Sequence, residues 1–518
     1  MSLDLGFAGQ HLTRDEMQRR VALAAGGFAA AGVRDGDVVA SMLRNEPALI
    51  ELMLAARLIG AYHCAVNWHF MPAEADFILR DSGARWLVIH ADLLDRVSPA
   101  VLQGLGVIVV APEAATRSAH AIADADAQVP AGAIEWSAWR ESQQPYSGPE
   151  GRVRGLVAYT SGTTGRPKGV RRLLPPPEQA PALAAATARL LHQVYGVDAA
   201  SRCLVAAPLY HSAPWSYASF CAQSGAWLHL MSRFDAEQTL ATIERERISH
   251  LYLVPTMYVR LLRLPAAVRE RHDLGSVRFV ASTGSPCPPE IKRQMIDWWG
   301  PVITESYASS ETGYLSFISA AEALQRPGSA GRAVGGATLA IRDPVSGALL
   351  PAGEPGLIYA RQADVPPFTY IGNDAARRGI EVDGLVTLGD TGHLDADGYL
   401  YVQGRASDMV ISGGVNIYPA EIEAMLMTDP RVADCAVFGV PDAEYGEALV
   451  AVLQPRADAT LDAGAVREFL LARIARYKVP RRVEIAATLP REDTGKIFKR
   501  RLREQVMARD AAGGSPGS

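Results

Sequence analysis

Apolar and polar positions along the first part of the chain switch between two periods. LTRDEMQRRVALAAGGFAAAG (12–32) places apolar residues at helical spacing behind an acidic start, which predicts an amphipathic helix. DGDVVASML (35–43) reads as a strand and PALIELMLAARLIGAYH (47–63) as a buried helix. DSGARWLVIH (81–90) and GVIVVA (106–111) are further strand candidates. Alternation of this kind predicts α/β layers around a largely parallel sheet. The Pro-rich stretch LLPPPEQAPA (173–182) predicts a surface excursion, after which the alternation resumes from 183 to about 300. Within it, RFVAST (278–283) is a strand running into Gly284.

The pattern then changes. ATLAIRD, GLIYAR and GLVTLGDTGHLDADGYLYVQGR, within 337–404, are short alternating runs with Asp-Gly turns at Asp383-Gly384 and Asp397-Gly398. These predict antiparallel strands. Residues 409–500 read as a separate α/β unit, with PAEIEAMLM as a helix and VADCAVFGV as a strand. The last stretch, MARDAAGGSPGS, reads as disordered from about residue 507.

Composition narrows the function classes. At 518 residues the chain is too long for one core, so two or three domains are expected. With 48% hydrophobic residues, 21% charged and a net charge of −5, nothing calls for nucleic acid or a membrane surface. No apolar run approaches the ~18 residues of a spanning helix, and MSLDLGFAGQHLTRDE lacks the layout of a signal peptide. The five cysteines (Cys64, Cys203, Cys221, Cys287, Cys435) are scattered and never C-x-x-C. This argues against a disulfide framework or zinc site and fits a reducing cytoplasm. Among 51 basic residues only five are lysine: Lys168, Lys292, Lys478, Lys496 and Lys499. In so arginine-biased a chain, some of them are expected to serve as compact, specifically placed charges.

Four stretches carry candidate chemistry. YTSGTTGRPKGV (159–170) follows an apolar strand-like run and supplies glycines, hydroxyls, backbone N–H groups and Lys168, a phosphate cradle by composition. Pro167 before the lysine and Gly169 after it exclude the Walker A spacing. ESYASSETG (305–313) offers the Tyr307 ring, the Ser310 hydroxyl and the Glu311 carboxylate. A carboxylate beside phosphates needs a divalent cation between them, which makes Glu311 a candidate Mg²⁺ ligand. LGDTGHLDADGYLYVQGRASDMVISGGVNIYP (388–419) sets Asp390 after a strand, where it can accept from a vicinal diol, and Arg405 at the junction of two units. LPREDTGKIFKRRL (489–502) places Lys496 after Gly495 and before a basic helix.

In this order and separation, the four motifs resemble the adenylate-forming superfamily of acyl-CoA synthetases, firefly luciferase and peptide-synthetase adenylation domains. The match runs from about residue 12 to 502. The resemblance implies an α/β fold with a large N-terminal domain (1–404) of layered α/β subdomains plus a small β-barrel-like part. A hinge (405–408) and a small mobile α+β C-terminal domain (409–518) would follow. It implies that Thr160, Ser161, Gly162, Thr163, Thr164, Gly165 and Lys168 hold the β- and γ-phosphates of ATP. Tyr307 would lie against adenine, Ser310 near the α-phosphate and Glu311 on Mg²⁺. STGSPCP (282–288) resembles the family's G-x-P segment, so Gly284, Ser285 and Pro286 would line the adenine and acyl sites. Asp390 and Arg405 would bind the ribose hydroxyls, and Lys496 would bridge the acyl carboxylate and the α-phosphate. Gly413 and Gly414 would line a coenzyme A tunnel. The family hinge is usually Asp or Lys, and Ser407 holds that position here.

HSAPWSYASFCAQSG (211–225) has no acidic residue to hold a substrate ammonium, which argues against an amino acid. PLYHSAPW resembles the PLFH-type segment of acyl-CoA synthetases, with His211 at the acyl channel. Trp215, Tyr217 and Phe220 would line an apolar pocket, and core packing accounts for each of them equally well. The expected function is ATP- and Mg²⁺-dependent activation of an aliphatic or aryl carboxylic acid, with transfer to CoA. Loading of a carrier-protein phosphopantetheine, a luciferase-like oxygenase and a non-enzymatic nucleotide-binding module are the alternatives. Assembly is left open, a homodimer included.

Overall fold

The computed structural model of the protein describes residues 3–160, 167–412, 415–442, 445–457, 459–491 and 497–511. Two large sheets dominate the N-terminal part. One has eight strands, in the order Phe368–Tyr370, Lys168–Arg172, Leu156–Thr160, Tyr62–Ala65, Val38–Met42, Ala84–His90, Gly106–Val110 and Ile134–Glu135. From Leu156–Thr160 onward its pairings are parallel, and the two at the other edge are antiparallel. The other runs Phe279–Ser282, His250–Leu253, Arg202–Val205, Trp227–Leu230, Asp4–Phe7, Gln10–Leu12, parallel except at its last pair.

Unbroken apolar strands belong in such sheets because both faces are covered. Along Val38–Met42, Val39 joins the core that holds the second sheet and its helices, while Val38, Ala40 and Met42 join the core on the opposite face. The period-two alternation of a strand thus feeds two cores at once. The helix expected over 47–63 ends at Leu58, and Tyr62–Ala65 is a strand. A mostly apolar run conceals that boundary, since helix and buried strand look alike in it, although Gly60, at φ 74°, marks the break. The Pro-rich excursion is likewise shorter than expected, because Ala180-Pro181 open the helix Ala180–Tyr195 and proline suits a first helical turn.

Antiparallel structure follows as predicted. Ala337–Arg342, Gly356–Gln362, Leu385–Leu394, Glu381–Val382 and Leu400–Arg405 form one sheet. It meets the three-stranded sheet Glu305–Ser309, Gly313–Ile318, Arg332–Ala333 through the bridge Gly331↔Leu400, a barrel-like arrangement. Asp383 and Gly384, at φ 52° and 74°, make the two-residue turn between Glu381–Val382 and Leu385–Leu394, a geometry that favours Asp-Gly.

From Val410 the chain builds a separate sheet with its own cores. Val437, Leu449 and Leu453 face the helices Pro419–Leu426 and Ala463–Leu471, and Phe438, Val450 and Val452 face Leu502 and Val506 of the helix Lys499–Ala511. That last helix corrects the expectation of disorder for residues 507–511, while 512–518 lie outside the described residues. Leu502 and Val506 seat it on the sheet, and Arg509–Glu484 (2.6 Å) and Arg482–Asp510 (2.7 Å) tie its final turn. A polar tail can be ordered by ion pairs to distant strands, which composition does not reveal. Among the described residues, no helix is long and apolar enough to cross a membrane.

Candidate active site

The described motif residues before 405 gather near the carboxyl ends of the parallel strands, where open α/β sheets bind ligands. Leu156–Thr160 ends at Thr160, which pairs with Lys168 at the start of the antiparallel neighbour. The ends of the phosphate-cradle loop are therefore held side by side. Its residues Ser161, Gly162, Thr163, Thr164 and Gly165 lie outside the described residues. Lys168 Nζ stands 5.2 Å from the centre of the Tyr370 ring. The Tyr370 hydroxyl donates to Glu311 Oε1 at 3.2 Å, and Thr160 Oγ1 donates to the same oxygen at 3.4 Å. Burial and the adjacent carboxylate push the Tyr370 phenol up, so it remains a donor. Glu311 is buried, and these two neutral hydroxyls hold it with no ion pair to a lysine or arginine among the described residues. A buried carboxylate held only by neutral hydroxyls has no cationic partner of its own, and an oxygen donor of this kind fits Mg²⁺. Among the described residues no cluster of three His, Cys, Asp or Glu could hold a metal. The remaining ligands of such an ion would come from phosphate and water.

Ser310 lies beside Glu311 and is held from two sides. Its Oγ is 2.8 Å from Ser212 Oγ, and its carbonyl accepts from Arg172 Nη2 at 2.9 Å. Arg172 Nη1 donates to the Pro366 carbonyl at 3.0 Å. Burial lowers the Arg172 pKa to about 10, opposed by Glu311 nearby, so the guanidinium stays charged at neutral pH. One side chain therefore joins the strand Lys168–Arg172, the Ser309–Thr312 turn and the segment before Phe368–Tyr370. Arg172→Leu is expected to destabilise the protein by about 1–3 kcal/mol, because two carbonyls lose their donor. Arg172→Lys should recover only part of that, lacking the fork. Denaturant midpoints of the three proteins check this.

Tyr307 donates to Asp390 Oδ2 at 2.6 Å, and Asp390 Oδ1 lies 3.4 Å from Arg405 Nε. The latter two are directly paired across adjacent strands. Burial, then Asp390, push the Tyr307 phenol well up. The adenine-side segment adjoins this strand, since Thr283 Oγ1 donates to the Ser306 carbonyl at 2.7 Å. Gly284 has φ 97°, and a Cβ there would meet only Val254, at 3.8 Å. Gly284, Ser285 and Pro286 are exposed. A glycine is required by that backbone, and it leaves open space in front of the segment.

His211 is the N-cap residue of the helix Ser212–Ser224, its ring 4.3 Å from that of Tyr210. On this helix Tyr217 (0% exposed) and Phe220 (5%) belong to the core, so core packing is the correct reading for both. Trp215 is half-buried and donates its indole N–H to His63 Nδ1 at 3.0 Å. Ser407 is exposed in the short helical turn Ala406–Asp408 that follows Arg405. Gly413, Gly414 and Lys496 lie outside the described residues. Three lysines have carboxylate partners: Lys292 with Glu305 at 2.5 Å in the core, Lys478 with Glu421 at 2.6 Å and Lys499 with Glu423 at 2.7 Å. For these, scarcity marked structural ion pairs.

Comparison with known proteins identifies the family. The AMP-binding enzyme family matches residues 3–366, and the AMP-binding enzyme C-terminal domain matches residues 421–496. The chain belongs to the AMP-binding enzyme family. Feruloyl-CoA synthase of an Amycolatopsis species is 34% identical to this AMP-binding enzyme over 506 residues, covering 96% of this chain and 94% of that protein. Indoleacetate–CoA ligase of Aromatoleum aromaticum is 34% identical over 505 residues, with the same coverage. Among solved structures, o-succinylbenzoate coenzyme A synthetase from Bacillus subtilis, in complex with ATP and magnesium ion, superposes with a TM-score of 0.79. It shares 25% identity and covers 98% of this chain and 96% of that one. A large N-terminal domain followed by a small C-terminal domain is thus the fold of this AMP-binding enzyme.

Motif reading missed four residues that the fold adds to the site: Arg172, Tyr370, Ser212 and His63. Arg172 and His63 sit on strands with nothing in their neighbours to set them apart.

Proposed function

We propose that this AMP-binding enzyme is an ATP-dependent acid–thiol ligase that converts a carboxylic acid other than an amino acid to its CoA thioester. The observation carrying the reading is the contact chain Lys168–Tyr370–Glu311–Ser310–Ser212. It runs from the phosphate loop to the acyl helix. The acid's carboxylate oxygen attacks the α-phosphorus, an O–P bond forms, and the bond to the β-phosphate oxygen breaks with release of pyrophosphate. The thiol then attacks the acyl carbon, forming C–S as AMP leaves with the C–O electron pair and the thiol proton passes to solvent. When bound, Mg²⁺ supplies positive charge among the phosphate oxygens.

In this reading Thr160, Lys168 and the loop 161–165 hold the outer phosphates, and Glu311 orients the ion. Ser310 stands at the α-phosphate. Tyr307 and the segment Gly284–Pro286 flank adenine. Asp390 and Arg405 take the ribose hydroxyls, and His211 borders the acyl channel. Lys496 supplies charge to the adenylation step alone, because the domain from residue 409 turns about Ser407 and exchanges it for Gly413 and Gly414 along the thiol path. Domain limits of 1–404, 405–408 and 409–518 belong to the same proposal. Five free, buried cysteines suit operation in a reducing cytoplasm.

The test is pyrophosphate release from ATP and Mg²⁺ across short to long aliphatic and aryl acids, each with and without CoA. CoA-dependent turnover with thioester formed supports the ligase. Adenylate that stalls with CoA present would point to a carrier-protein acceptor, and oxygen uptake or light to an oxygenase. Replacing Gly414 with Phe should leave adenylation intact and cut thioester formation by more than tenfold, as a side chain would narrow the thiol path. Unchanged CoA turnover in that variant rejects the tunnel assignment.

A further inference from the structure

His63, in the strand Tyr62–Ala65, is 2% exposed, and both of its ring nitrogens are engaged. Nε2 lies 2.8 Å from Ser41 Oγ, and Nδ1 accepts the Trp215 indole N–H at 3.0 Å. An indole only donates, so Nδ1 carries no proton. Burial depresses the imidazole to about 3, hence the neutral ring holds its proton on Nε2 and gives it to Ser41. One tautomer satisfies every partner, and it locks the Trp215 ring in one orientation.

Trp215 follows Ser212 by three positions on the helix Ser212–Ser224, so both point to one side. Ser212 is bonded to Ser310, where the acid must meet the α-phosphorus. The indole packs partly against both large cores and stays half-open. Beneath the helix the space is already filled. Tyr195 lies 5.1 Å from Tyr217, 5.4 Å from Tyr314 and 6.0 Å from Phe220 between ring centres. The Tyr195 and Tyr314 hydroxyls are 2.5 Å apart. A long alkyl chain would have to break up this packed cluster, whereas a flat ring can lie on the open part of the indole.

We propose that Trp215, oriented by the positioning residue His63, is the specificity-determining wall of the acid site, and that the acid is a compact aryl acid with its ring within a few bonds of the carboxylate. The proposal rests on the acid–thiol ligase reading.

The experiment uses the full chain as wild type, His63→Phe, Trp215→Phe and Trp215→Leu. Benzoate- and cinnamate-type acids are compared with short, medium and long straight-chain acids. Wild type should favour the aryl acids. His63→Phe, which keeps a ring without an acceptor, and Trp215→Phe, which keeps a ring without the N–H, should raise the aryl-acid KM roughly tenfold. Losing one oriented hydrogen bond and ring contact accounts for that factor. The ATP KM and kcat should stay within about twofold. Trp215→Leu should lose the aryl preference. Aryl-acid binding without ATP should quench tryptophan fluorescence in wild type and not in Trp215→Phe. Preference for long alkyl acids, an unchanged aryl-acid KM in both Phe variants, or equal losses for acid and ATP would overturn the proposal. If no acid supports pyrophosphate release, the ligase reading fails. The quenching comparison then still decides whether Trp215 is an aryl-acid wall.

Discussion

Lys496→Ala is expected to slow acyl-adenylate formation by two to three orders of magnitude, roughly the cost of removing one preorganised charge from a transition state. Thioester formation from a preformed acyl-adenylate and CoA should continue near the wild-type rate. Two anions must approach for the first step, a carboxylate and a triphosphate, and the second step involves no such encounter. The surroundings of the loop favour a specific role for this lysine. Arg491 and Ile497 bridge its two ends, Asp434 pairs with Arg491, and Lys499 is committed to Glu423. Lys292 and Lys478 are likewise committed to carboxylates. Rapid-quench measurement of the two half-reactions separates the outcomes. An equal loss in both would show that the lysine does not leave the site between steps.

Glu311→Gln should lower kcat/KM for ATP by roughly a hundredfold, on the same scale as other losses of oriented charge, with little change in melting temperature. The side chain keeps its shape, and its amide oxygen can still accept from Thr160 and Tyr370. What disappears is the charge that would hold the metal. The dependence on Mg²⁺ should therefore move to higher concentration, and part of the activity should return there. A titration of rate against Mg²⁺ for both proteins reads this directly. An unshifted Mg²⁺ midpoint would remove Glu311 from the metal site and leave it as a structural acceptor.

Much of the site was legible because its parts are local. The phosphate-loop flanks, Tyr307-Ser310-Glu311 and Asp390-Arg405 each occupy one short stretch, and hydroxyl, carboxylate and glycine spacing survives in a linear string. In the fold, Thr160 meets Glu311 and Tyr307 meets Asp390, contacts across 151 and 83 residues. Arg172 and His63 escaped because a strand residue's role depends on what packs against it. For Arg172 that is the carbonyls of Ser310 and Pro366. For His63 it is an indole on a helix 152 residues away.

Periodicity, turn residues and motif order were enough for the α/β layers, the antiparallel segment from 337, a small C-terminal domain and the kind of chemistry. These depend on backbone preferences and on which chemical groups sit next to each other, and both act over a few residues. Tertiary packing alone decided the end of the helix at Leu58, the order of the final helix through Ala511, and the fates of the three aromatics on Ser212–Ser224. Tyr217 and Phe220 went to the core, and Trp215 to a half-buried place against His63. The physical reason is that one helix carries apolar side chains on more than one face. Which face is covered depends on strands and side chains that arrive from distant parts of the chain.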